Sequence, residues 1–328
     1  MNTVAKPSTV PCKICRNSTN NRIYQAREMM FGMRDTFTYL ECSNCLCVQL
    51  VDVPVNLDKY YPSNYYSVAL SPDVIFTNPI KSRLGGLRTY YGATNRGVIG
   101  RMLYNRKPDP HARYLLKTGV TKASRILDVG CGTGIILYML RNAGFSRVMG
   151  LDPFIPATIT YKNGLTIHKQ VIHAIQGNWD VIMFHHSFEH VPDPLETLAS
   201  VSRLLAPGGT CLIRVPTSSS YAWDYYRTNW IQLDAPRHTF LHSIASMNYL
   251  ASQVGLMVDD VIYDSTAFQF WGSEQYARDI PLDSPQSYKN NPIQSLFTPE
   301  QIAEFSERAT VLNQQKAGDQ AAFYLRKA

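Results

Sequence analysis

The chain has 328 residues, 45% of them hydrophobic, enough to bury the core of one substantial α/β domain and a smaller module, which excludes a mainly disordered protein. Its formal charge of +7 arises from 32 Lys and Arg spread along the chain without a polybasic run, a pattern that reads as a solvated surface and argues against a nucleic-acid partner. No apolar run approaches the roughly 20 residues of a membrane span, and residues 1–11 lack the apolar core of a secretory signal. A cytoplasmic protein with no membrane partner is therefore expected.

Residues 1–11 read as a disordered tail. Cys12, Cys15, Cys42 and Cys45 then form two Cys-x2-Cys pairs separated by 26 residues. Such pairs make knuckles whose four thiolates converge on one tetrahedral Zn²⁺, and four thiolates leave no open position, so a structural zinc is expected. Phe37-Thr38-Tyr39-Leu40 is strand-forming and leads into the second knuckle, as in a zinc ribbon. Cys47 reads as a buried thiol rather than a fifth ligand. The module spans residues 12–58, and zinc would let a segment with little core of its own hold a shape.

Residues 59–110 form a Tyr-rich connection. Lys59-Tyr60-Tyr61-Pro62-Ser63-Asn64-Tyr65-Tyr66 can wall a pocket or simply pack its rings on the next domain. Arg96, Arg101, Arg106 and Lys107 read as a wet helix face.

The main domain is expected over residues 111–328. Ala112 to Gly119 reads as a helix with a glycine stop, and Arg125 to Val129 as a buried parallel strand. Gly130-Cys131-Gly132-Thr133-Gly134 makes a turn into a helix from Ile135 to Asn142. Glycines there let a ligand touch backbone at the carboxyl end of the strand, with Asp128 just before them. A dinucleotide fingerprint needs a glycine where Ile135 stands. A second strand, Arg147 to Leu151, delivers Asp152, 18 residues after Gly134, where a carboxylate accepts hydrogen bonds from ribose hydroxyls. Leu165 to Ile167 reads as strand 3, with Gln170 to Ile172 passing the adenine edge. Trp179 to Phe184 is strand 4, a helix runs from Leu195 to Leu205, and Thr210 to Val215 is strand 5. A helix from Ser243 to Gly255, strand 6 at Val258 to Tyr263, a helix from Pro299 to Gln315 and strand 7 at Gln320 to Arg326 complete the pattern. Residues 268–297 read as a lid on the acceptor side.

The Gly130–Gly134 turn resembles motif I of class I S-adenosylmethionine-dependent methyltransferases. The Asp180-Val181-Ile182 strand leading to Glu189-His190-Val191, with Pro192 and Pro194 after it, is similar to the same family, as is the Leu205-Ala206-Pro207-Gly208-Gly209 turn before strand 5. Together with the paired Cys-x2-Cys and the Tyr-Tyr segment, the chain resembles sugar C-methyltransferases and other methyltransferases of glycan or natural-product pathways. The resemblance implies a Rossmann-like doubly wound sheet of seven strands, the seventh antiparallel, behind the zinc-ribbon-like module. It implies S-adenosylmethionine held by Asp128, Gly130, Cys131, Gly132, Gly134, Asp152, Ile172 and His185, the last either a cofactor contact or a core residue. It also implies a small-molecule acceptor, a sugar or nucleotide-linked sugar, methylated on carbon or oxygen. A hydroxyl or activated carbon must lose a proton, which suits a histidine. His238 is the first candidate, with His190 and His186 beside it and Glu189 as orienter or alternative base. Two rivals stay open: an NAD-dependent sugar oxidoreductase, and a zinc-ribbon interaction protein with a non-catalytic Rossmann domain.

Overall fold

A computed structural model describes residues 6–62 and 71–328. Lys6–Ser8 (β1), Asn21–Arg27 (β2), Thr36–Glu41 (β3) and Val48–Leu50 (β4) are successive antiparallel neighbours. The expected disordered tail is therefore corrected at its described end, since Lys6–Ser8 pairs with Asn21 to Ile23. In β2, buried Tyr24 and Ala26 alternate with outward residues, the period of a sheet covered on one face.

The connection is helical, with Pro72–Ile75 (α1), Pro79–Thr94 (α2), Val98–Arg106 (α3) and Pro110–Arg113 (α4). Asn78 caps α2 by accepting from the Lys81 N–H, and Asn95 ends it in the left-handed conformation. A 3-10 turn, Tyr114–Thr118, replaces the second half of the helix expected over residues 112–119 and stops at Gly119. Ala112 of α4 and Leu115 of the 3-10 turn are both buried. Of the aromatic run, Tyr60 is buried with its hydroxyl on Asp35 at 2.8 Å, while Tyr65 and Tyr66 lie outside the described residues.

The main domain follows as Ile126–Val129 (β5), Ile135–Asn142 (α5), Val148–Leu151 (β6), Ile159–Thr160 (β7), Thr166–His168 (β8), Trp179–His185 (β9), Pro194–Leu204 (α6) and Leu205–Pro216 (β10). It continues with Tyr221–Tyr226 (α7), Phe240–Leu241 (β11), Ile244–Gln253 (α8), Leu256–Tyr263 (β12), Phe268–Ala277 (α9), Pro299–Gln314 (α10) and Gln320–Lys327 (β13). Among the described residues the sheet runs β12-β13-β10-β9-β5-β6-β8-β7. β13 lies antiparallel between β10 and β12, as expected of strand 7. The sheet has eight strands rather than seven because β7 folds back on β8 through the Asn163-Gly164 turn, with Gly164 at φ +79°. β10 starts five residues earlier than expected, and Pro207-Gly208-Gly209 forms an irregularity within the strand instead of a break before it.

The sheet buries both faces. Phe184, Ile213 and Phe323 lie under Leu198 and Val201 of α6 and Met247 and Leu250 of α8. Ile126, Met183 and Leu212 lie under Leu137 and Leu140 of α5. α2 packs so closely on the end of α5 that a Cβ at Gly86 would stand 2.3 Å from the Asn142 carbonyl oxygen.

The N-terminal sheet is not closed on itself. β11 adds to β4 as its fifth strand, pairing Phe240 with Gln49. A third core joins Tyr24 and Tyr39 to Trp223 of α7 and Phe270 and Tyr276 of α9. The lid expectation is corrected over its first half, since α9 packs into this core and the Leu282 and Asp283 amides bond the Met29 and Met30 carbonyls. Burying Phe270 and Tyr276 is worth more than leaving them over an open cleft.

An ion network fixes this join. Arg237 is fully buried and donates to Asp234 at 2.6 and 3.0 Å and to Glu28 at 2.9 Å. Glu28 also accepts the Phe31 and Met33 amides. Replacing Arg237 with Ala would strand Glu28 in the interior and should cost roughly 3–5 kcal/mol in urea denaturation. A loss below about 1 kcal/mol would show that the sheet is held without it.

Candidate active site

The glycine turn forms because β5 ends at the sheet's carboxyl edge and the chain must reverse within five residues into α5. Gly130, at φ +70°, leaves no room for a side chain, since a Cβ would meet Ser187 Cβ at 2.5 Å. At Gly134, φ +73°, it would meet Ile167 Cδ1 at 2.4 Å. Asp152 closes the turn by accepting from the Gly132 and Phe154 amides, both at 2.8 Å. Each carboxylate oxygen keeps a further lone pair for a ligand. Asp128 is buried and its Oδ1 has no partner. Burial, then the charge of Asp152, pushes its carboxyl well above the ordinary range. Burial does the same to the Cys131 thiol, leaving it uncharged beside Gly150.

Two residues that the sequence reading missed belong to this edge. Ser187 covers Gly130 and donates to the Val129 carbonyl at 2.6 Å, tying the loop after β9 to the glycine turn. Phe154 is 86% exposed two residues beyond Asp152, an apolar ring left open to solvent where a flat ligand can stack. The signal for it was its place just after the acid. Ile172 does not reach outward, because its side chain is buried in the core with Phe184 and Leu198, and the exposed neighbour is Val171. His185 is held among the rings of Tyr114 and His111, with both ring nitrogens buried and unpartnered. Burial, and then Arg214, keeps it well below the ordinary histidine range, so it is neutral.

The loop after β9 gathers the remaining candidates. Glu189 is fully buried, and neither carboxylate oxygen has a hydrogen-bond partner; the nearest base is His186 Nδ1 at 3.4 Å. Burial opposes its ionisation, yet His186, His190 and His238 around it hold its pKa down at about 2. His238 comes from the distant loop after α7, where Tyr39 donates to its carbonyl at 2.8 Å and Thr239 bonds the Glu189 carbonyl. Its Nδ1 faces the Gln232 carbonyl at 2.7 Å, so Nδ1–H donates there and Nε2 is the ring nitrogen left free to exchange a proton. That Nε2 stands 3.9 Å from both Glu189 and Asp234. His190 repeats the pattern, its Nδ1 on the Arg237 carbonyl at 2.8 Å. Burial lowers its pKa despite the pull of Glu189. His186 instead contacts Arg214, which pairs with Asp264 at 2.6 Å. The ligating atoms of Glu189, His190 and His238 lie within 4.8 Å of one another, close enough to share a cation.

The four cysteines also converge. Cys12 and Cys45 sulfurs are 3.6 Å apart and those of Cys15 and Cys42 3.5 Å, near the edge of a tetrahedron of thiolates around zinc. Amides of Ile14, Asn44 and Cys45 point at the sulfurs, as knuckle backbones do.

Residues 100–261 match a family model described as a methyltransferase domain. The glycine turn, Asp152 and the Glu189-His190 loop all lie within this matched segment, which is similar to methyltransferase domains. A ubiquinone biosynthesis O-methyltransferase from Sodalis glossinidius is 32% identical over 122 residues, covering 34% of this chain and 49% of that protein. The C-methyltransferase NovU from Streptomyces niveus is 30% identical over 159 residues, 44% of this chain and 36% of that one. The chain therefore spans half or less of the length of these two relatives. The solved cyclopropane synthase MmaA2 from Mycobacterium tuberculosis aligns at TM-score 0.41 and 15% identity, over 66% of this chain and 82% of that one.

His242, also missed in the sequence, lies under the Glu189 loop, its ring 5.1 Å from Phe188, and burial lowers its pKa to about 4. Below pH 6.5 the unfolded chain takes up a proton that the folded chain refuses, so stability falls as pH drops from 6.5 toward 4. Over that span the natural chain should lose about 3 kcal/mol more than a His242→Gln variant in paired urea titrations. Parallel curves would mean that His242 is free to protonate in place.

Proposed function

We propose that the protein transfers a methyl group from S-adenosylmethionine to a small-molecule acceptor, a sugar or nucleotide-linked sugar. The observation that carries this reading is the Ser187 bond to Val129, which joins the glycine turn to the loop of Glu189 and His190. The donor, when bound, supplies an electrophilic methyl on a sulfonium. The chain's residues fit it: the turn excludes side chains at Gly130 and Gly134, Asp152 offers acceptors for ribose hydroxyls, Asp128 has an unused oxygen, and Phe154 offers a stacking face.

Displacement at a methyl demands position more than acid-base power, and holding two reactants in line in a dry pocket contributes most of the rate. The acceptor still has to give up a proton. His238 takes it at Nε2, and the imidazolium so formed is stabilised by the carboxylates of Glu189 and Asp234 on either side. Calorimetry should show heat with S-adenosylmethionine and none with NAD; the reverse would favour the oxidoreductase rival. In a methyl-acceptor screen over nucleotide-linked sugars, His238→Gln should cut kcat about 100-fold or more with donor affinity retained. Unchanged kcat would move the base to His190.

Cys12, Cys15, Cys42 and Cys45 hold a structural zinc in this reading, with no part in the chemistry. Metal analysis should return about one zinc per chain, and a Cys12→Ser/Cys42→Ser variant should lose it. Retention of zinc by that variant would remove the site.

A further inference from the structure

Residues 74–108 contain seven Lys and Arg and no Asp or Glu, so this stretch alone carries +7, as much as the whole chain nets. The charge that reads as evenly spread is in fact segregated, because the acids are missing from α2 and α3. Lys81, Arg83, Arg96, Arg101, Arg106 and Lys107 are all exposed, and among the described residues none of them forms an ion pair.

The same two helices expose apolar side chains. Gly86, Thr89 and Ala93 face inward from α2. At about 100° per residue, Ile80, Leu84 and Leu87 fall on the opposite side. α3 lies across that outer side, with Gly100 so close that a Cβ would stand 2.4 Å from the Leu87 carbonyl oxygen. Val98 and Met102, two residues either side of Gly100, therefore point away from α2. Ile80 is 70% exposed, Val98 78% and Met102 65%. The body, α2 and α3 are thus stacked in order, and the apolar stripes of both helices open to the same side within a ring of unpaired cations.

We infer that the α2–α3 hairpin docks on an anionic lipid surface, with Val98, Ile99, Met102 and Ile80 entering the headgroup layer and the arginines on lipid phosphates. Apolar side chains flanked by Lys and Arg are what such a surface selects. A nucleic acid fits less well, since Tyr91 and Tyr104 are turned on each other at 5.5 Å between the helices and offer no stacking platform. Contact is peripheral, because no described helix is long and apolar enough to cross a membrane. The expectation of a wet helix face with no membrane partner gives way to this assignment.

Flotation of the full chain with phosphatidylcholine vesicles carrying about one third phosphatidylglycerol tests it, alongside phosphatidylcholine alone and a DNA duplex. Binding is expected to the anionic vesicles, to fall steeply at about 0.5 M salt, and to be weak on neutral ones. Each cation near the surface is worth about fivefold, so Arg96→Gln/Arg101→Gln/Arg106→Gln should bind roughly 100-fold more weakly. Val98→Glu/Met102→Glu, which alters exposed positions and should leave the circular dichroism and melting unchanged, should lose about tenfold or more. No preference for anionic vesicles, anionic binding that survives both sets of substitutions, or DNA binding insensitive to Met102 would each overturn the assignment.

Discussion

The arrangement depends on one buried cation. Arg237 sits in the loop that also carries His238, and its guanidinium is neutralised by Asp234 within that loop and by Glu28 from the N-terminal sheet. A guanidinium cannot shed its charge, so burial is tolerable only while both carboxylates stay in place. The loop therefore cannot leave the N-terminal sheet without exposing Glu28 or stranding Arg237. Because Tyr39 and Leu50 bond the backbone of His238 and Thr239, the cysteine-bearing module takes part in positioning the candidate base.

The site is in turn an electrostatic compromise. Glu189 is held ionised in a place that water does not reach by the positive charge that His186, His190 and His238 around it can carry. Two of those imidazoles have their Nδ1 protons tied to main-chain carbonyls, which directs Nε2 toward the carboxylate. Rigid backbone thus chooses the tautomers, and the side chains arrive preorganised. The glycine turn is coupled to this cluster through Ser187, so donor and acceptor sides share a single loop.

Much of the sheet was legible because its strands alternate or run apolar over lengths that only a covered sheet accommodates, and because capping residues such as Ser243 and Thr298 mark helix starts by chemistry local to a few residues. The extra strand β7 was missed although Asn163-Gly164 is a strong turn signal, since two residues carry no periodicity to read. Phe154 escaped notice because exposure is not written in a residue's identity, and a Phe is by default assigned to a core.

The sequence by itself determined the glycine turn, Asp152 at its distance, the paired cysteines and the order of strands, because each depends on spacing along the chain. Tertiary structure alone decided that β11 completes the N-terminal sheet, that α9 is core instead of lid, and that His238 meets Glu189 across 49 residues. It also decided that the basic residues of α2 and α3 surround apolar ones on a single outward side. Those outcomes turn on contacts between residues far apart in the chain, and the free energy of burying Arg237 or Phe270 exists only once both sides of the contact have folded.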